Sequence, residues 1–260
     1  MPGITTDDGC RLHYELEGEA GRPLLLLSNS LGTALAMWDP QMPAFLEHFR
    51  VLRYDSRGHG RSAVPAGPYT IDRLGRDALA VVDAAGGGRF RFCGLSKGGM
   101  VGQWLGINAG DRVERLALCN TSSQIGAPEV WNERIATVKK DGMAAIVPGV
   151  IDRWFTKPFQ ERAPAAVEKI KAMLLATDPE GYTACAAAVR DMNQRAGLPS
   201  ITTPTLVVAG RHDQATPVEH ARIIAEAVPG ARLLELDAAH LSNIEDEAVF
   251  TREVAAFLAG

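Results

Sequence analysis

The sequence predicts an α/β protein built on a largely parallel sheet, with a helical segment inserted between two of its strands. Three observations carry this prediction. Short, largely apolar runs at residues 24–27 and 205–209 read as strands covered on both faces, as strands of a parallel sheet are. Segments with apolar residues at helical spacing alternate with such runs, as at residues 69–85 between strand-like residues 50–54 and 90–93. From Pro128 to about Ala196 the alternation stops, and only helix-like patterns follow.

Taken in order, residues 11–17 alternate Leu12, Tyr14 and Leu16 with polar neighbours, a half-buried strand. A turn at 18–23 leads into the leucine strand, which runs directly into the small, polar loop Ser28-Asn29-Ser30-Leu31-Gly32-Thr33. Residues 37–49, with Trp38, Phe45 and Leu46, read as a short amphipathic helix, and 50–54 as the next strand. The helix at 69–85 carries Ile71, Leu74, Ala78, Val81 and Val82 at intervals of three and four. It leads into the Phe90 and Phe92 strand, after which a helix, the strand 113–119 and the helical stretch follow. Pro164 fits the first turn of one of these helices. Strand 205–209, a helix at 217–227, strand 231–236 and a helix at 245–258 close the chain. The expected division is a core of residues 1–125 and 197–260 with residues 126–196 inserted.

Length and composition bound the function. A chain of 260 residues, 46% hydrophobic, has room for one large α/β domain with an insertion. No apolar run is long enough to span a bilayer, and no membrane partner is expected. Asp7, Asp8, Glu15, Glu17 and Glu19 fill the region where an apolar targeting segment would lie, so cytoplasmic residence is the expectation. A net charge of -4 with both signs interspersed argues against nucleic acid as a general partner. Cys10, Cys93, Cys119 and Cys185 are scattered without a CxxC pair or zinc-like spacing, the pattern of reduced and mostly buried thiols. No metal and no cofactor is implied. A homo-oligomer is compatible with the sequence, which carries no signal for or against one.

The chemistry-bearing stretch is Gly94-Leu95-Ser96-Lys97-Gly98. Glycines two before and two after a serine let a strand turn sharply into a helix with the serine at the apex, because a Cβ at either place would strike the neighbouring element. In a chain with 26 glycines the pattern alone is weak, and context strengthens it. A serine hydroxyl needs a histidine to take its proton and a carboxylate to orient that histidine. His240 lies between the last strand and the last helix, and Asp213 lies just past the preceding strand. Ser96, Asp213 and His240 therefore stand at three strand ends in the chain order of α/β-hydrolases. Asp237, three positions before His240, is the competing acid, and Asp213 could alternatively cap a turn. His59 belongs to a structured loop and is assigned no proton transfer. The oxyanion hole needs two donors. The backbone N–H of Lys97 is one, and that of Leu31, in the loop after the leucine strand, is the best-placed second.

Several segments together resemble a known family. They are residues 27–33, Tyr54-Asp55-Ser56-Arg57-Gly58-His59-Gly60-Arg61-Ser62, the elbow, Cys119-Asn120-Thr121, Trp131-Asn132-Glu133-Arg134-Ile135, Ala209-Gly210-x-x-Asp213, and Ala239-His240-Leu241-Ser242-Asn243-Ile244-Glu245. Over essentially the full length they look like the 3-oxoadipate enol-lactonases, α/β-hydrolases of the β-ketoadipate pathway. The segments at 28–33, 131–135 and 240–245 are the more particular ones. The resemblance implies the α/β-hydrolase fold, a mostly parallel eight-stranded sheet flanked by helices, with residues 126–196 as a helical cap. It also implies cofactor-free hydrolysis of a small anionic lactone in bacterial aromatic catabolism. An anion in a mostly apolar pocket needs a cation or several donors. Arg134 is the preferred candidate, with Trp131 as an apolar wall and Asn132 and Ser30 as further contacts, although Arg134 and Trp131 also fit as surface and packing residues. Relatives of this kind usually carry an apolar or uncharged residue at position 97. The ammonium of Lys97 either reaches the surface on its extended stem or adds positive potential to the site. A carboxylesterase, a carbon–carbon bond hydrolase, a perhydrolase and a non-catalytic binding protein share the fold and remain alternatives.

Overall fold

The computed structural model describes residues 3–260. Eight strands form one sheet in the order β1-β2-β4-β3-β5-β6-β7-β8. They are β1 (Gly3–Thr5), β2 (Arg11–Glu17), β3 (Leu24–Ser28), β4 (Arg50–Tyr54), β5 (Phe90–Leu95), β6 (Val113–Cys119), β7 (Thr205–Gly210) and β8 (Arg232–Leu236). β2 runs antiparallel to β1 and to β4, and the other pairings are parallel. This is the mostly parallel sheet expected. β2 to β8 lie where apolar patterning puts them, whereas three-residue β1 is too short to show a period.

The apolar runs alternate between two cores, as side chains of a strand must. Leu25, Leu27, Val51, Cys93, Leu95, Ala117, Cys119, Leu206 and Val208 pack on one face with α1 (Met42–Leu46) and the last two helices, α10 (Ser242–Glu245) and α11 (Glu247–Ala259). Leu26, Leu52, Phe92, Leu116, Leu118, Val207 and Ala209 face the other way, toward α2 (Ile71–Ala84), α3 (Lys97–Asn108) and α9 (Val218–Ala227). Each fully buried Leu or Phe contributes about 1.5–3 kcal/mol relative to exposure. The expected helix at 37–49 is instead a 3₁₀ turn, Leu35–Gln41, followed by α1, because Pro40 and Pro43 interrupt α-helical bonding. The closing helix is likewise broken, between α10 and α11 at Asp246.

Between β6 and β7 the described chain forms α4 (Pro128–Asp141), α5 (Val147–Trp154), α6 (Lys157–Arg162), α7 (Pro164–Ala176) and α8 (Pro179–Asp191), with short 3₁₀ turns at Met143–Ala145 and Arg195–Ser200. Each of these helices has a proline in its first two positions, where the missing N–H costs nothing. α6 escapes sequence reading because it is only six residues long. A bridge between Gln124 and Asn193 closes the base of the segment. Among the described residues no helix is long and apolar enough to cross a membrane. The four cysteines are free and buried.

Candidate active site

Ser96 sits where β5 turns into α3, with φ 58° and ψ −115°. A non-glycine residue in that region is strained and persists only where surroundings hold it. Here its N–H donates to Cys119 O at 2.9 Å, and its carbonyl accepts from Thr121 Oγ1 at 2.7 Å. The flanking glycines are sterically required. A Cβ on Gly94 would stand 2.3 Å from Gly98 O, and one on Gly98 only 2.1 Å from Ser28 O.

The loops after β7 and β8 bring Asp213 and His240 together. His240 Nδ1 donates to Asp213 Oδ2 at 2.8 Å, and both residues are buried. An ionised carboxylate only accepts, so the bond sets the proton on Nδ1 and leaves Nε2 as a base. Asp213 Oδ2 also accepts from Thr216 Oγ1 at 2.8 Å and from Asn120 Nδ2 at 3.1 Å. Its Oδ1 accepts the backbone N–H groups of Ala215 and Thr216 at 2.8 and 2.9 Å. Burial pushes the Asp213 carboxyl up, but His240 and these donors outweigh burial and hold its pKa below the ordinary value. Asp237 pairs elsewhere, with exposed His212 Nε2 at 2.8 Å. Asn120, with φ 44°, is a positioning residue that sequence reading left without a role. Its place just after β6, in register with the other strand-end residues, is the signal that could have found it. Glu245 steadies the histidine loop by accepting the Ala239 N–H at 3.0 Å and bonding Thr156 ahead of α6.

Lys97 opens α3, so its amide is one of the unpaired donors at a helix start. Leu31 lies in the loop after β3 and lines the same cavity as Ser96 and His240. The Lys97 side chain does not reach the surface, contrary to one of the two expectations for it. It is wholly buried, and its ammonium donates to Ser56 Oγ at 2.6 Å, in the loop after β4. Burial lowers its pKa. Ser56 in turn bonds the Tyr54 hydroxyl, which pairs with Ser28 Oγ at 3.0 Å. Sequence could not show this, since Ser56 stands 41 positions away.

Ser96 and His240 share a cavity of about 270 Å³ with Ser30, Leu31, Trp131, Arg134, Arg153, Trp154, Tyr182 and Gln214, among others. Ser30 is fully buried, and its Oγ has no hydrogen-bond partner among the described residues. Arg134 lies over the Trp131 ring, 4.7 Å from its centroid, and is hydrogen-bonded to Tyr182. Asn132 is misplaced by the sequence reading. It is exposed, and its Oδ1 accepts from Arg190 Nη1 at 2.7 Å on the outer face of α4. Helical geometry explains this, because positions 131 and 134 share a face from which 132 is turned away. Arg153, one residue before Trp154 on α5, is the cavity cation that sequence reading missed. Burial first, then repulsion from Arg134, lowers its pKa. Among the described residues neither arginine forms an ion pair with a carboxylate. Trp154 stacks obliquely near the His240 ring, with centroids 5.7 Å apart.

A strained serine at a strand-to-helix turn, sharing a cavity with an Asp-bound histidine at neighbouring strand ends, has known parallels. The family described as alpha/beta hydrolase fold matches residues 23–247. The 3-oxoadipate enol-lactonase 2 of Acinetobacter baylyi is 39% identical over 247 residues, covering 95% of this chain and 92% of that protein. The crystal structure of the enol-lactonase from Burkholderia xenovorans LB400 superposes with a TM-score of 0.98 at 45% identity, covering 100% of both chains. A malate-bound thermophilic esterase from Thermogutta terrifontis gives a TM-score of 0.92 at 29% identity, over 99% of this chain and 97% of that one. The chain is thus an ester hydrolase, and it belongs to the α/β hydrolase family, where it groups with the 3-oxoadipate enol-lactonases.

Proposed function

We propose that the protein hydrolyses 3-oxoadipate enol-lactone to 3-oxoadipate, as a step of bacterial aromatic catabolism, with residues 126–196 acting as a cap that selects the substrate. The observation that carries this reading is the pairing within one cavity of Ser96 and His240 with two arginines that, among the described residues, form no ion pair with a carboxylate. One side of that cavity suits acyl transfer, and the other suits an anion.

In the reaction, Ser96 Oγ attacks the lactone carbonyl as His240 Nε2 takes its proton, and Asp213 stabilises the imidazolium. The amides of Lys97 and Leu31 hold the oxyanion. Collapse breaks the ring C–O bond, and His240 returns the proton to the departing enol oxygen. The enol rearranges to a ketone and stays tethered to Ser96 through its acyl carbon. Water, deprotonated by His240, attacks that carbon. In the second collapse His240 returns that proton to Ser96 Oγ, which leaves as a hydroxyl, and the acid product ionises to a new carboxylate. Arg134 and Arg153 hold the carboxylate that the lactone carries throughout, Trp131 packs against its carbon skeleton, and Ser30 Oγ supplies a further hydrogen bond.

The test is turnover of the purified protein, without added metal or cofactor, on the enol-lactone and on a neutral aryl ester. The lactone should be consumed far faster, and Ser96→Ala should lower kcat by about 10⁶-fold while the melting temperature holds. Equal rates on aryl esters with no turnover of the lactone would instead mark a general carboxylesterase.

A further inference from the structure

The loop that carries the second oxyanion donor is held from both sides at Gly32. On the sheet side, the Gly32 N–H donates to His59 Nε2 at 2.9 Å. On the helical side, the Gly32 carbonyl accepts from Thr177 Oγ1 at 2.9 Å. Thr177 lies in the link between α7 and α8, and it and His59 are both buried. The tautomer of His59 follows from its partners. A backbone N–H can only donate to Nε2, so Nδ1 carries the proton and donates to Arg57 O at 3.1 Å.

We propose that His59 and Thr177 are positioning residues that clamp the Gly32 peptide groups and thereby aim the neighbouring Leu31 amide at the acyl oxygen. The oxyanion hole is then completed only when the helical segment is seated on the sheet. This rests on the Leu31 amide being a donor, and it extends that reading to a coupling between the segment that meets the substrate and the rate of acyl transfer. Neither residue touches the reacting atoms. A clamp of this kind needs an imidazole that stays neutral, because a protonated Nε2 cannot accept. Burial, and then the charge of Lys97, push the His59 pKa down to about 3.

The polar partners are otherwise well fixed. Thr177 Oγ1 has one proton to share between Gly32 O and Met173 O, each at 2.9 Å, and removing the hydroxyl loosens the loop without leaving a buried charge. Further anchors of the loop include the Leu35 N–H on Asp55 Oδ1 at 2.8 Å, Asn29 Nδ2 on Tyr54 O at 2.8 Å and Trp38 Nε1 on Asn29 Oδ1 at 3.0 Å, none of which involves His59 or Thr177.

The experiment uses p-nitrophenyl acetate, whose cleavage needs the serine and the oxyanion hole but not recognition of the lactone. Failure of the lactone assignment therefore leaves this test standing. Thr177→Val and His59→Leu should each lower kcat about 10- to 100-fold with KM changed by less than about twofold. Phenylboronic acid, which forms a tetrahedral adduct on the serine, should bind weaker by the same factor. Thr177→Ser and His59→Gln, which restore a donor and an acceptor at about the same places, should recover most of the loss. A fall in melting temperature with kcat and boronate affinity unmoved would overturn the proposal. So would a rise in KM at constant kcat, or a conservative variant no better than its apolar counterpart.

Discussion

The two walls of the cavity differ in how their charged groups are partnered. On the sheet side, Asp213 accepts from His240, Thr216 Oγ1, Asn120 and two backbone N–H groups. On the helical side, Arg134 and Arg153 line the space without a carboxylate among the described residues. Acyl transfer works through dipoles fixed before the substrate arrives, because reorganising them during the reaction would raise the barrier. Recognition of an anion works the other way, through a cation whose best partner comes with the ligand.

The largest test of this contrast is Asp213→Asn. An amide there donates toward Nδ1 and favours the wrong tautomer, so kcat should fall about 10⁴-fold with little change in KM, as steady-state kinetics would show. A loss of tenfold or less would break the view of a preset sheet side. Next come Arg134→Ala and Arg153→Ala. Charge-assisted hydrogen bonds contribute about 1.5–3 kcal/mol, so each change should raise KM for an anionic lactone roughly 10- to 100-fold and leave a neutral ester almost untouched. Asn132→Ala, on the outer face of the same helix, is the control and should do nothing to either substrate. Equal effects of Arg153→Ala on the charged and neutral substrates would reduce that arginine to packing.

The smallest test concerns acid stability. The ordinary pKa of histidine is 6.5, and that of folded His59 is pushed down to about 3. Between those values the unfolded chain binds the proton that the folded chain refuses. Stability therefore declines as pH falls below 6.5 and stops declining on this account near 3, by up to about 1.4 kcal/mol per pH unit. Denaturant midpoints taken across that window should show a shallower decline for His59→Gln than for the parent. Arg134→Ala is the control for this comparison and should leave the slope as it is.

What could be read in advance follows the same line. Ser96, Asp213 and His240 announce themselves locally, each as a reactive side chain just past an apolar strand, with Gly94 and Gly98 marking the elbow. Arg153 does not, because an arginine on an amphipathic helix looks the same whether it faces water or a cavity, and only packing decides. Asn132 was legible and misread, since its angular offset from Trp131 and Arg134 follows from helix geometry. Lys97 and Ser56 illustrate the remaining limit. A buried ammonium is intelligible only beside its acceptor, and that acceptor is brought near by the crossing of β3, β4 and β5 in the sheet rather than by any spacing in the chain.

The junction between β6 and β7 has a consequence for how such a chain can diversify. The two strands are direct neighbours, with Leu116 opposite Thr205, although everything from α4 to α8 lies between them in sequence. The entropy of closing so long a loop grows only logarithmically, so doubling or halving its length alters the free energy of pairing these strands by about 0.6 kcal/mol. That is small against the burial of a single leucine. Helices can be lengthened or exchanged at this point, provided the link that carries Thr177 keeps its contact with Gly32, while the register of the sheet, and the spacing of the strand ends that it sets, stays the same. The guest list of the cavity can be rewritten as long as that one contact keeps the furniture that performs the cut in its place.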